Sequence, residues 1–185
     1  MGRAKTIDET QLFQATEKII LRDGYAGFHF KALAEELGVA RSTIYNYFSK
    51  KEELVTAFMV HLLKQVVHHM DNVSENEEPV RGLVDIWSKY ANIHQMMHVM
   101  PYIDREATPL VQSNVQEMFG LLGSMRSRIS TILTKEQERG RVRKDIQVET
   151  MTGLVMAVVQ IPIQSDQEAR WVEEVYKLLK DGLYD

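Results

Sequence analysis

The chain has 185 residues, of which 44% are hydrophobic and 26% charged, with no cysteine and a formal net charge of −4. That length buries a real core, and the missing cysteines exclude disulfides, thiolate metal sites and a cysteine nucleophile. No run approaches the roughly 20 apolar residues a membrane helix needs; the richest, residues 154–163, is interrupted by Gln160 and Pro162. The start, Met1-Gly2-Arg3-Ala4-Lys5, lacks the apolar stretch of a secretory signal, so a cytoplasmic protein with no membrane partner is expected. Charge is uneven: residues 1–51 hold 8 Lys and Arg against 6 Asp and Glu, leaving 14 against 20 beyond them. The basic excess of the first third suits contact with a polyanion.

In chain order, a first helix ends at Arg22-Asp23-Gly24-Tyr25. Leu33, Ala34 and Leu37 then recur at helical spacing and predict a short helix with one apolar face. Gly38 closes it, because a glycine just past the last periodic residue supplies the left-handed conformation that redirects the chain. A second short helix is expected from about residue 40 or 41 to Phe48, with Ile44 and Phe48 turned inward. Its outer face carries Arg41, Ser42, Thr43, Asn46 and Tyr47, hydrogen-bonding groups able to reach base edges and phosphates. Ser49-Lys50-Lys51-Glu52 matches a capping box, with Ser49 and Glu52 bonding reciprocally at the start of the next helix. The free amides and dipole of that helix start, with Lys50 and Lys51, suit a phosphate; a generic surface turn with solvated lysines is the alternative.

Arg22-Asp23-Gly24-Tyr25, Leu33-Ala34, Gly38-Val39, Thr43-Ile44-Tyr45, Phe48 and Lys51-Glu52-Glu53-Leu54 together, in this order and spacing, resemble the TetR family of bacterial transcriptional regulators. The resemblance implies an all-α chain: a helix-turn-helix DNA-binding domain over residues 1–51, and a helical effector-binding and dimerisation domain over 52–185, about nine helices in all. It places Lys31, Arg41, Ser42 and Tyr45 where such proteins commonly face bases, and Thr43, Tyr47 and Lys51 where they face phosphate; Asn46 is a further base contact. The chain departs from the family in two places. His29 and Phe30 stand where a hydroxyl residue usually opens the first motif helix, and Ala40 stands where a capping Ser is frequent, so both hydroxyl caps are lost. Losing such a cap costs on the order of 1 kcal/mol.

Beyond the motif a helix is expected over 51–70, then one that opens at Pro79 and carries Leu83, Ile86, Trp87, Tyr90 and Ile93 before Pro101. A long helix over 110–139 ends at Gly140. The stretch Gly140-Arg141-Val142-Arg143-Lys144-Asp145-Ile146 resembles the connector that precedes the dimer-forming helices of TetR-like regulators. Two final helices are expected over 147–161 and 167–183. Met151, Leu154, Val155 and Val158 form the apolar face of one, and Val172, Val175 and Leu179 that of the other. Paired with their twofold copies they would make a homodimer with a four-helix interface; the alternative is that they close the subunit's own core. A dimer spaces two recognition helices for a near-palindromic double-stranded operator.

The middle helices carry the residues suited to an effector. Trp87, Tyr90, Met97, Met118, Phe119 and Leu122 are apolar or polarizable, and His94, His98 and Tyr102 add polar groups, a set fitting a small hydrophobic molecule. An ordinary helical core explains each of them singly. His94 and His98, four apart, would hold a divalent cation only with further ligands such as Asp104 or Glu106, and no metal site is assigned. No cofactor is called for. No phosphate-binding glycine loop or Gly-x-Ser-x-Gly elbow is present, so no catalytic residues are assigned and no enzyme is expected. The function expected is a ligand-responsive transcriptional repressor. Its alternative is a helical interaction or nonspecific DNA-binding protein without an effector.

Overall fold

Helical runs punctuated by glycine and proline build the fold. The computed structural model describes residues 7–75, 77–90, 98–163 and 167–184. Among these are eight α-helices and no sheet, apart from one isolated bridge between Val142 and Tyr184. They are α1 (Glu9–Gly27), α2 (Phe30–Leu37), α3 (Arg41–Tyr45), α4 (Lys51–His69), α5 (Pro79–Lys89), α6 (Pro109–Glu138), α7 (Val148–Ala157) and α8 (Glu168–Leu183). Tighter 3-10 turns follow at Met70–Glu75, Met100–Tyr102 and Val158–Gln160.

The described residues form two compact units. One takes the chain up to His61 with the stretch from Gln95 to Met118; the other takes Leu62–His94 with Phe119 onward. The sequence pattern sets a domain boundary at residue 51, with the helix over 51–70 as the connector. The first unit includes the front of α4, where Leu54, Val55 and Phe58 are buried and the Phe58 ring lies 5.6 Å from that of Phe13 on α1.

In the first unit, α1 opens with a reciprocal cap: Asp8 Oδ1 accepts from Gln11 N at 2.7 Å and Gln11 Oε1 from Asp8 N at 3.2 Å. Its stripe of Leu12, Phe13, Ile19 and Ile20 is buried. Gly38 closes α2 at φ 65°, with the Val39 amide donating to Ala34 O at 3.0 Å; only a residue without a Cβ takes this conformation freely. Helix α3 is shorter than expected. The amides of Tyr47 and Phe48 both turn back to Ile44 O, at 3.0 and 3.1 Å, and end it after Tyr45.

In the second unit, Pro79 opens α5, where its missing N–H loses nothing. Helix α5 lies along α8, held by an ion pair between Arg81 and Glu173 and by the Trp87 indole, which donates to Val155 O of α7 at 3.1 Å. The Tyr176 hydroxyl of α8 donates to Glu78 at 2.8 Å. After α6, Gly140 turns at φ 73° and the buried Glu136 carboxylate accepts from Arg139 at 3.0 Å and Arg141 at 2.7 Å. These bonds fix the connector that leads to α7.

Candidate nucleic-acid interface

The α2-turn-α3 motif is anchored from beneath and open above. Leu33 and Ile44 are fully buried and Phe48 nearly so, which fixes which side of α3 faces out. Lys31, Arg41, Ser42, Tyr45, Asn46 and Tyr47 are exposed, and Thr43 is half-buried. The described fold thus places a short polar helix face at the surface beside the one lysine of α2. Such a face can offer donors and acceptors to the edges of base pairs in a major groove.

Of the two departures from the family pattern, the one at α2 has a local substitute. His29 is the N-cap of α2, and its Nδ1 accepts from the Ala32 amide at 3.0 Å. An imidazole nitrogen does what the absent hydroxyl would have done, and Nδ1 must be unprotonated to do it. Ala40 caps α3 with no side-chain bond. Phe30, the first residue of α2, is buried and sets its ring edge-on to Tyr45, centroids 5.1 Å apart at 74°. The Arg41 guanidinium lies 5.4 Å from the same Tyr45 centroid and its Nη2 donates to the Tyr45 hydroxyl at 2.9 Å.

Two residues expected to face phosphate are engaged within the chain. The Tyr47 hydroxyl donates to Ile7 O at 2.5 Å. The Lys51 ammonium sits 4.1 Å from the Tyr25 ring centroid, with the Tyr25 and Phe28 carbonyls at 3.4 and 3.5 Å. It therefore complements the carbonyl end of α1. The capping partner of Ser49 also shifts by one residue. Glu53, not Glu52, accepts from Ser49 N at 2.7 Å, Ser49 Oγ at 2.9 Å and Lys50 N at 3.3 Å. Helix α4 begins at Lys51, which makes Lys50 the cap and Glu53 the third helical residue. Burial pushes the Glu53 carboxyl up, but hydrogen bonds from Ser49, Thr108 and the Ser49 and Lys50 amides outweigh it and hold it below its ordinary value. Glu52 instead accepts from the Tyr25 hydroxyl at 3.2 Å; burial first, then this carboxylate, pushes the Tyr25 phenol far up.

The residues expected to bind an effector fall in both units. Trp87 is core, and its indole donor is satisfied by Val155 O. Tyr90 is half-buried, its hydroxyl 3.1 Å from His69 Nδ1, and burial raises its pKa. Phe119 is 59% exposed and Leu122 half-buried on α6. These four belong to the second unit, whereas His98, Tyr102 and the buried Met118 belong to the first. His98 and Tyr102 line a cleft of about 350 Å³ with Ile20, Leu21, Tyr25 and Val99. His94 and Met97 lie outside the described residues. Among the described residues no group of three His, Asp or Glu side chains is placed to hold a metal ion.

The faces expected to form the dimer turn inward for the most part. Met151, Val155, Val158, Val172, Val175 and Leu179 are all at most 8% exposed in the subunit alone. Helix α8 lies along α5, whose own stripe of Val80, Leu83, Val84 and Trp87 is fully buried. Leu154, at 50%, and Leu178, at 70%, are the large apolar side chains that α7 and α8 leave open.

A polar recognition helix held by a glycine turn on a buried helical support defines a helix-turn-helix DNA-binding protein. Two family models match the chain: "Bacterial regulatory proteins, tetR family" over residues 12–58, and "Transcriptional regulator SbtR-like, C-terminal domain" over residues 102–185. A fatty acid metabolism regulator protein of Bacillus subtilis is 23% identical, with 95% of each chain covered. Among solved structures, the TetR family regulator PfmR of Thermus thermophilus superposes with a TM-score of 0.77 at 18% identity, over 94% of this chain and 99% of that one. FadR of Bacillus subtilis, solved in complex with stearoyl-CoA, superposes with a TM-score of 0.63 at 19% identity, over 95% of each. The chain belongs to the TetR family of bacterial transcriptional regulators. The family and the similar proteins are regulators rather than enzymes. No helix among the described residues is long and apolar enough to cross a membrane.

Proposed function

We propose that this protein is a cytoplasmic, homodimeric repressor that binds a near-palindromic operator and releases it when a small hydrophobic molecule binds. The observation that carries the reading is the α3 surface: Ile44 and Phe48 are buried while Arg41, Ser42, Tyr45 and Asn46 are exposed. Lys31, Arg41, Ser42, Tyr45 and Asn46 serve as base contacts. Thr43 faces phosphate, and Tyr47 and Lys51 hold the motif's frame, each already bonded within the chain. Dimerisation uses α7 and α8 through Leu154 and Leu178, apolar side chains that a second copy would cover.

The effector belongs among hydrophobic molecules carrying a polar end. Long-chain acyl-CoA thioesters are the first class to test, in view of the fatty acid regulator to which the chain is similar and the stearoyl-CoA bound to the FadR structure. Phe119 and Leu122, apolar and incompletely covered on α6, are the described residues best suited to an acyl chain. Helix α4 runs unbroken from the recognition unit into the second unit, so a ligand that favours a different α4 position shifts the population away from the DNA-competent state. The test is selection of bound sequences from a random DNA pool, followed by displacement of the selected site with acyl-CoAs of graded length. Enrichment of a near-palindrome, lost in Arg41→Ala and released by one length class, is expected. A protein that enriches no sequence is not an operator-binding repressor.

A further inference from the structure

We infer that Phe30 sets the base preference of this protein without touching DNA, by bracing Tyr45 so that Arg41 is held ready for a guanine. The inference rests on the operator-binding reading above and adds which residue selects and which base is selected. Three side chains from two helices form one stack. Phe30 is 4% exposed and immobilised at the start of α2, whose first turn the His29 cap fixes. Its ring meets Tyr45 edge to face at 5.1 Å, and Tyr45 carries the Arg41 guanidinium at 5.4 Å. The Arg41 Nη2 bond to the Tyr45 hydroxyl, at 2.9 Å, adds a direction to the stack.

That bond engages one of the five guanidinium N–H donors. The rest still include a parallel pair, the fork that matches O6 and N7 of guanine. Adenine presents a donor beside its N7 and thymine a single oxygen, so neither accepts both bonds. A free arginine on an exposed helix also reaches phosphates and other edges by changing rotamer. Held on Tyr45, it samples fewer alternatives, and the benefit of bracing appears as discrimination between bases rather than as total affinity, to which sequence-independent phosphate contacts contribute heavily. Phe30 follows the His29 cap as the first residue of α2 and is a positioning residue for Tyr45 and, through it, Arg41.

The test compares the protein with Phe30→Leu, Tyr45→Phe and Arg41→Ala, measuring affinity for the selected operator and for versions changed at each base pair in turn, at one salt concentration. The unaltered protein should prefer guanine at one position of each half-site by about 10- to 100-fold, the range of a good bidentate pair. Arg41→Ala should remove that preference. Phe30→Leu should reduce it to about threefold or less, with other positions, nonspecific affinity and the salt slope unchanged. Tyr45→Phe keeps the rings but drops the hydroxyl bond, and should give an intermediate preference. Uniform weakening across all sequences in Phe30→Leu, or an unchanged guanine preference, overturns the inference while leaving operator binding intact. Should Phe30→Leu not fold, Phe30→Met, which fills the same space without an aromatic edge, takes its place, and an unchanged guanine preference in it overturns the inference. Absence of any selected sequence with the unaltered protein removes the operator reading, and the inference with it.

Discussion

Replacing Glu53 by alanine should destabilise the protein more than replacing its neighbour Glu52, the residue that sequence pattern alone assigns to the cap. Glu53 is a buried carboxylate that receives two well-formed bonds from Ser49, at 2.7 and 2.9 Å, and a long one from the Lys50 amide at 3.3 Å. A hydrogen bond to a charged group contributes roughly 1.5–3 kcal/mol when both partners are buried. Ser49 and Lys50 are exposed, so water replaces part of each bond, and the Glu53→Ala loss should be about 2–3 kcal/mol. For a chain of this size that lowers Tm by roughly 4–12 °C. Glu52→Ala breaks a single 3.2 Å bond from Tyr25 and should cost about 0.5–1.5 kcal/mol. The pH dependence provides a second check. Because the Glu53 pKa is lowered in the folded state, its contribution is full above the ordinary glutamate value of 4.5 and is lost as pH falls through the folded value. Urea unfolding of all three proteins from pH 7 downward should therefore show the gap between the parent and Glu53→Ala narrowing only below about 4.5. A larger loss for Glu52→Ala, or a gap that does not narrow in acid, would refute the assignment of the cap to Glu53.

Other substitutions separate recognition from folding. Arg41→Ala should abolish selective operator binding while moving Tm little, since the guanidinium is exposed; a melt lowered by more than about 1 kcal/mol equivalent would make Arg41 a structural residue instead. His29→Ala should cost about 1 kcal/mol by uncapping α2 and His29→Ser should recover most of it, checked by denaturant midpoints at constant slope. If the proposed dimer uses this face, Leu178→Glu, which places a charge on the 70% exposed side chain of α8, should leave a monomer in sedimentation at micromolar concentration where the parent is a dimer, without loss of helicity. A persistent dimer would move the interface elsewhere. Trp87→Phe removes the indole donor from the buried Val155 carbonyl and should cost about 1–3 kcal/mol; a neutral result would mean that water reaches that oxygen.

The family, the all-α class and the outward face of the recognition helix were legible in the chain itself, because each depends on neighbours within a few residues. Helical spacing decides that Ile44 and Phe48 share one side and Arg41, Ser42 and Asn46 another, and a glycine at Gly38 stops α2 whatever the rest of the molecule does. What required the tertiary structure were matters of competition for partners. Lys51 and Tyr47 carry groups that could face a phosphate, but α1 and the segment at Ile7 lie close enough to take them. Met151, Val155, Val172 and Val175 have the pattern of a dimer face and equally of a core, since one apolar stripe does not record what covers it. In the fold these four side chains are buried within the chain, with α5 lying along α8, while Leu154 and Leu178 stay exposed. The join of Phe30 to Tyr45 and Arg41 is of the same kind. Local periodicity orients a side chain relative to its own helix, while its contact is chosen by whichever other helix the fold brings within a few ångströms.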